Sequence, residues 1–235
     1  EINLFDTTGT IIASTDEKRV GTFHDGAFKV IKSCQPVVIQ TDDEFSGARA
    51  GTNLPVLFND SVVAVIGITG EATEVAPLGN IIKKMTEILI RENWSQMTRY
   101  TRQSNFNSLV AQLIGHERDE SLVDYLMSVL EVDPSVSRQV IVGQFLPSSR
   151  PLPSYTEAGE VIPKHLQKYS ASFYASTNTE LCLMVQRTND NDLIKMLTSI
   201  QSELTKTLNQ SMTFGIGRLV ESEEDYWQSY RDAKT

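Results

Sequence analysis

The feature of this sequence that most limits its fold is a change of hydrophobic period near Glu74. Before it, apolar residues sit in short β-branched runs; after it, Leu78, Ile81, Ile82, Met85, Ile88 and Leu89 recur at three- and four-residue spacing. Trp94, Met97, Phe106, Leu109, Val110 and Leu113 extend that stripe. A period of two belongs to strands and a period near 3.6 to helices. The pattern predicts one helix over Glu74–Ile114, ended by Gly115, and at ~1.5 Å per residue such a helix is long enough to connect two domains. The chain of 235 residues accordingly divides into a domain at 1–73, a helical connector at 74–134 and a domain at 135–235.

The first part reads strand, turn, strand: "INLFD", "TTG" with Gly9 at the turn, then "TIIAS". A helix follows, with Thr22 as its cap, Asp25 three positions later, and Phe23, Ala27, Val30 and Ile31 at helical spacing. "PVVIQ" is a short strand, and "NLPVLF", a turn at "ND", and "SVVAVIGIT" form a hairpin ending at Gly70. These elements predict a small antiparallel sheet covered on one side. Within the connector, Leu122 to Leu130 is a second helix, closed by "VDPS".

The last part reads strand ("RQVIVGQFL"), a loop rich in Pro and Ser, a short helix at Val161–Lys168, and strands at "SASFYAS" and "ELCLMVQ". A helix at Asp192–Leu208, a strand at "SMTFGIG" and a helix at Glu223–Ala233 complete it. This β-α-β-β-α-β order is the ferredoxin-like split pattern, which nucleotide cyclase domains share. The expected class is α+β.

Composition narrows the function. The chain is 40% hydrophobic and 22% charged, with no apolar run near the roughly 18 residues that span a bilayer, so no membrane role is expected. A net charge of −9 argues against a broad basic footprint on nucleic acid. The opening "EINLFDTTG" has neither a basic n-region nor an apolar h-region, and the expected setting is cytoplasmic. Cys34 and Cys182 stand far apart with no ligand spacing around them, and both read as small buried hydrophobes rather than a disulfide or zinc site.

Two stretches concentrate polar chemistry. "RVGTFHDGAF" places Arg19, Thr22 and His24 around a helix start, where unpaired N–H groups and the positive dipole end favour an anion. Arginine matches a carboxylate with a planar fork, and histidine adds a donor whose charge depends on pH. "GARAGTNLP" offers Arg49 between Gly47 and Gly51, glycines that allow close approach of backbone to a ligand, with Thr52 and Asn53 as neutral hydrogen-bonding groups. "GITGE", from Gly67 to Glu71, is a further wall, with Thr69 able to meet a hydroxyl. The plainer alternative makes Arg19 and Arg49 solvated charges, His24 a satisfied helix residue and the glycines simple turns.

Catalytic signals are poor. His116 and His165 lack a nucleophile motif, there is no G-x-S-x-G or Walker sequence, and "GIG" at Gly215–Gly217 is too short for a phosphate loop. Asp42–Asp43 and Glu223–Glu224 read as solvated charge. No catalytic residue, metal site or cofactor is predicted.

The stretch "INLFDTTGTIIASTDEKRVGTFHDGAFKVI", followed by "GARAGTNLPVLFNDSVVAVIGITGEATEVAPLGNIIKKMTEIL", resembles the sugar diacid recognition domain of the bacterial carbohydrate diacid regulators. Arg19, Gly21, His24, Gly26, Ala27, Gly51, Asn53, Leu54, Pro55, Gly67, Thr69, Gly70 and Glu71 carry the likeness. The second half, above all "FGIGRLVESEEDYWQSYRDAKT", is similar to the degenerate GGDEF-type, cyclase-like middle domain of the same regulators. The resemblance implies a PAS/Cache-like effector domain, a cyclase-like domain and a C-terminal helix-turn-helix, with small hydroxylated acids such as glucarate, galactarate or glycerate as effectors.

The sequence begins inside the family's first domain and stops before a helix-turn-helix, so DNA binding is expected only of a longer protein, acting as a homodimer. Arg19, Thr22, His24, Arg49, Gly51, Thr52, Asn53 and Thr69 are then the expected ligand-binding residues. Two alternatives stand beside this reading. A diguanylate cyclase needs a Gly-Gly-(Asp/Glu)-Glu-Phe turn to hold substrate and metal, whereas the matching hairpin here is "ASTNTEL", with Glu180 its sole acid. A pure interaction module would use the long helix as a dimerisation seam and bind no effector.

Overall fold

The computed structural model describes residues 1–42, 44–147, 153–177, 179–221 and 225–235. The chain separates into two compact units, Glu1–Thr98 and Arg99–Thr235.

In the first unit, β1 (Ile2–Phe5) and β2 (Ile11–Ser14) lead through a 3-10 turn to α1 (Asp25–Ser33), β3 (Val37–Ile39), β4 (Gly51–Phe58) and β5 (Ser61–Thr69). α2 (Ala72–Ile114) begins in this unit. The strands pair antiparallel in the order β2-β1-β5-β4-β3. Asn59 and Asp60 turn the β4–β5 hairpin with φ of 49° and 61°. Those left-handed values are what a type I′ turn needs to match the strand twist, and Asn and Asp tolerate them.

Residues alternate between the two faces of each strand, so register alone sorts them. Phe5 opposes Val65, and both pack with Ile11 and with Ala27 and Val30 of α1. Val56, Ala64, Ile66 and Ile68 face the other way and meet Val75, Ile82 and Ile90 of α2. The sheet is therefore covered on both faces, where strand alternation predicted one. β4 slips register between Val56 and Leu57, and the Leu57 amide donates to the Glu87 carboxylate at 3.1 Å.

The predicted stripe on α2 is divided rather than continuous. Ile82 packs on the sheet, whereas Leu78, Ile81, Met85, Ile88, Leu89, Trp94 and Met97 are exposed.

The second unit contains the end of α2, then α3 (Glu120–Leu130), β6 (Arg138–Phe145), α4 (Tyr155–Leu166), β7 (Phe173–Ser176), β8 (Leu181–Gln186), α5 (Asp190–Leu208), β9 (Met212–Val220) and α6 (Tyr226–Ala233). Its antiparallel sheet runs β7-β8-β6-β9. β8 thus lies between β6 and β7, which is the split β-α-β of a ferredoxin-like fold. One face of the sheet packs on α3, α6 and the end of α2, the other on α4 and α5. α4 starts six residues before the predicted position, because Ser154 and Glu157 form a reciprocal capping box. The predicted start of the last helix, Glu223, lies outside the described residues, as does the Glu223–Glu224 pair.

Cys182 is fully buried, and burial pushes its thiol pKa up. Cys34 is exposed, against expectation: it caps the C-terminal end of α1 in the left-handed conformation, φ 54°. No helix among the described residues is long and apolar enough to cross a membrane.

Candidate ligand site

The register brings polar residues into line across the α1-covered face of the first sheet. Asn3 of β1 opposes Gly67 of β5, and Gly67 opposes Asn53 of β4. Toward the α1 core the row is followed by Phe5, Val65 and Pro55, yet Asn3 and Asn53 are themselves 4% and 3% exposed. Gly67 is required between them: a Cβ there would stand 2.5 Å from Asn53 Oδ1 and 2.7 Å from Phe5 Cε2. Asn3 Oδ1 accepts the Ser14 hydroxyl at 2.6 Å. Asn53 Nδ2 is buried and has no hydrogen-bond partner, an arrangement that costs about 1–3 kcal/mol when nothing compensates it.

His24 stands above this row. It is 3% exposed, its ring centroid lies 4.9 Å from that of Phe5, and its Cε1 lies 3.1 Å from where a Cβ on Gly26 would be. Sequence reasoning made Thr22 the cap of α1, but the helix begins at Asp25 and His24 caps it: Nδ1 accepts the Ala27 amide at 3.1 Å. Thr22 is exposed and donates its hydroxyl to the Arg19 carbonyl at 2.7 Å, which holds the turn. Burial and the Arg19 charge lower the His24 pKa. The ring is neutral near pH 7, accepts on Nδ1 and carries its proton on Nε2, so it is a neutral donor rather than a cation.

The next row along the same face starts with Glu1, whose carbonyl accepts the Thr69 amide at 2.9 Å, and Thr69 opposes Gly51. The Glu1 carboxylate holds both predicted arginines. Arg19 Nη1 donates to Oε1 at 2.9 Å and Arg49 Nη1 donates to Oε2. Burial raises the Glu1 pKa, but hydrogen bonds from Arg19 and Asn3 and the two guanidinium charges outweigh it and hold the carboxyl below its usual range. Arg19 Nη2 also donates to the Gly47 carbonyl at 2.6 Å. The Arg19 side chain is 13% exposed and that of Arg49 47%. Neither is a bare surface charge.

Arg19, His24, Arg49, Asn53 and Thr69 are thus gathered on one face, with Glu1 and Asn3 as members that sequence reasoning missed. Strand alternation could have found Asn3, a polar residue at an inward position between Ile2 and Leu4. Thr52 is separated from the others: it opposes Ile68, on the α2 face, where its buried hydroxyl has no partner. Gly51 and Gly47 were read as leaving room for a ligand, but the chain itself fills that room. A Cβ on Gly51 would lie 2.0 Å from the Ile68 carbonyl oxygen, and one on Gly47, at φ +73°, would lie 2.7 Å from that of Phe23. Asp42 accepts the Ala50 amide at 2.7 Å and anchors the loop; Asp43 lies outside the described residues.

In the second unit Glu180, the hairpin acid, is 4% exposed and bound by the Tyr230 hydroxyl and, at 3.0 Å, by Lys234 Nζ. It therefore ties α6 to the β7–β8 hairpin. A Cβ on Gly215 or Gly217 would run into the Ala233 or Ser229 carbonyl, at 1.8 and 2.0 Å, so the "GIG" glycines let α6 lie against β9.

The family described as "Putative sugar diacid recognition" matches residues 1–113, and the family described as "GGDEF-like domain" matches residues 115–235. The second match covers more than half of the chain, which belongs to the GGDEF-like domain family, and its first part is similar to the sugar diacid recognition family. Protein YsfB of Bacillus subtilis (strain 168) is 29% identical over 249 aligned positions, covering 100% of this chain and 64% of that protein. The carbohydrate diacid regulator of Escherichia coli (strain K12) is 34% identical over 96 residues, covering 39% of this chain and 24% of the regulator. The chain thus spans less than two thirds of the length of either relative. Among solved structures, PelD of Pseudomonas aeruginosa PAO1 aligns with 92% of this chain and 75% of its own at 10% identity, with a TM-score of 0.26. That likeness is too distant to inform the site.

Proposed function

We propose that the first unit senses a small hydroxylated carboxylic acid, of the glucarate, galactarate or glycerate type, for a bacterial transcriptional regulator. The reading extends to a cytoplasmic homodimer that contacts DNA through a helix-turn-helix of the longer protein. The observation that carries it is the buried, unpartnered amide nitrogen of Asn53. A ligand oxygen beside it would remove the cost of that orphan donor. The surrounding set is rich in donors, with Arg19, Arg49 and the neutral His24 ring all on this face. Two guanidiniums on one carboxylate are the geometry such an effector requires, and Glu1 supplies that carboxylate from the chain itself. The strand order β2-β1-β5-β4-β3 supports the PAS/Cache-like reading of the sheet.

The reading assigns no enzymatic step. The hairpin where a cyclase would place its acidic turn has Glu180 committed to Tyr230 and Lys234, which leaves it unsuited to hold magnesium. A second reading, a dimerisation module without effector, draws on the exposed Leu78, Ile81, Met85 and Ile88, which follow heptad spacing on α2. The two readings are compatible unless no acid binds.

Calorimetric titration with glucarate, galactarate, glycerate and glycolate, with glycerol as an uncharged control, tests the sensor. Saturable binding of one acid, weakened at least 30-fold by Arg19→Ala, is expected, a loss of about 2 kcal/mol. Absence of binding by any acid to the folded protein, or full affinity in Arg19→Ala, would defeat the reading. Light scattering would then decide whether the dimerisation module stands.

A further inference from the structure

We propose that the second unit holds a separate site for a planar organic anion, in a cavity bounded by the end of α2, the α3–β6 loop and the segment leading into β7. The cavity has a volume of about 510 Å³. Small-molecule pockets commonly enclose about 300–1,000 Å³, so an inorganic ion alone would leave it largely empty. Every residue lining it belongs to the second unit. It is therefore distinct from the Arg19–Asn53 face.

Its chemistry is specific. Phe106 and Phe173 stack with ring centroids 5.3 Å apart and planes 19° from parallel. The Arg102 guanidinium lies 5.6 Å from the Phe106 centroid, and that of Arg138 lies 5.4 Å from the Phe173 centroid. Phe173 is buried, but the partly buried Phe106 and the exposed Arg102 beside it give the cavity wall an aromatic edge and a planar cation, which suit a flat ligand with negative charge.

Arg138 supplies the argument for charge. It is 1% exposed and is held by backbone carbonyls: Nε donates to Ala171 at 2.8 Å, and Nη1 to Asp133 at 2.9 Å and Val136 at 3.0 Å. Its Nη2 has no hydrogen-bond partner, and no carboxylate lies within ion-pair distance of it, among the described residues. Asp133 also lines the cavity, but its carboxylate is committed to the Ser135 amide and hydroxyl at 2.9 and 2.7 Å. The Asp133 carboxylate feels the Arg138 charge and Glu131 also lines the cavity, but neither pairs with the guanidinium, which therefore lacks a direct counter-charge to offset its desolvation. An anion in the cavity supplies it.

Aromatic carboxylates and nucleoside monophosphates share this chemistry, so the test separates them. The protein is titrated calorimetrically with 4-hydroxybenzoate and, separately, with guanosine monophosphate, with benzyl alcohol and guanosine as uncharged counterparts. The exposed Arg102 can be changed without opening the core, so Arg102→Gln is the variant, with circular dichroism confirming its fold. Saturable binding of one anion, at least tenfold weaker in Arg102→Gln and unchanged in Arg19→Ala, is expected. The proposal is overturned if neither anion binds, if the uncharged counterpart binds equally well, if Arg102→Gln binds as tightly as the parent, or if Arg19→Ala abolishes binding.

Discussion

The α1-covered face of the first sheet and the two covered faces of the second are filled with different chemistry. In the second unit Val140, Val142, Cys182 and Met184 point one way and Ile141, Leu181, Leu183 and Val185 the other, all buried against apolar helix faces. In the first unit the corresponding interior carries Asn3, Asn53 and His24, one of them with an orphan donor. Well-packed apolar residues would stabilise that interior more. A polar row kept at the cost of stability fits the ligand reading proposed for that face, whereas the central strands of the second sheet pack as scaffold and its buried charge, Arg138, sits at the start of β6.

The largest effect that separates the two regions should come from the scaffold. Leu183→Ala removes a fully buried side chain from the centre of the second sheet and should cost about 3 kcal/mol. Chemical denaturation measures it. Affinity for the acid should change less than twofold, and a parallel fall in affinity would break the division of labour between the regions. The second effect belongs to the polar row. Asn53→Leu replaces an unpaired amide by methyl groups of similar shape, and should leave the stability of the unliganded protein unchanged or raised by up to about 1 kcal/mol. Acid binding should weaken at least tenfold, read by calorimetry. A variant that loses stability instead would show that Asn53 serves packing.

A smaller effect sharpens the role of Glu1. If its carboxylate competes with the effector for Arg19 and Arg49, Glu1→Gln should tighten acid binding about fivefold, roughly 1 kcal/mol. A weakened affinity would instead make Glu1 the residue that holds the arginines in position.

How much of this was legible in the sequence follows from which contacts are local. The strands, the "ND" hairpin, the long helix and the β-α-β-β-α-β order are set by period and turn chemistry, and these were readable. The capping box that starts α4 is also readable, in Ser154 and Glu157, but the predicted helix begins only at Val161 because the Pro- and Ser-rich stretch before it reads as loop. Arg19 and His24 were legible through the stretch at the helix start and Arg49 through the glycine-flanked stretch that follows it. What they touch was not, since the Arg19–Glu1 and Arg49–Glu1 pairs close loops of 18 and 48 residues. Thr52 and Asn53 are neighbours in sequence and looked like one hydrogen-bonding pair, yet alternation along β4 sends them to opposite faces. Cys34 reads as buried because free cysteine usually packs inside, whereas here it lies just past the last turn of α1 and is exposed.

The smallest effect is a pH dependence that distinguishes a buried neutral histidine from a solvated one. His24 caps α1 by accepting the Ala27 amide on Nδ1, which a protonated ring cannot do, and burial together with Arg19 lowers its pKa from the ordinary 6.5. The unfolded chain therefore binds a proton at this residue at a pH where the folded chain does not. Stability from this residue is complete above pH 6.5 and declines as the pH falls toward the folded value, by at most about 1.4 kcal/mol per pH unit. His165, whose pKa is lowered by burial and then by Lys164, contributes with the same sign, so the parent alone does not isolate His24. The Glu1 carboxyl, held low, gives way only below the ordinary carboxylate range. The informative quantity is the difference between the parent and His24→Asn, a substitution that keeps a good helix cap and cannot titrate. Denaturation midpoints measured between pH 5 and 7.5 should converge for the two proteins toward the acid end, with the parent showing the steeper loss. Parallel curves would mean that His24 titrates as it does in water, and the polar row would lose its claim to be a closed interior.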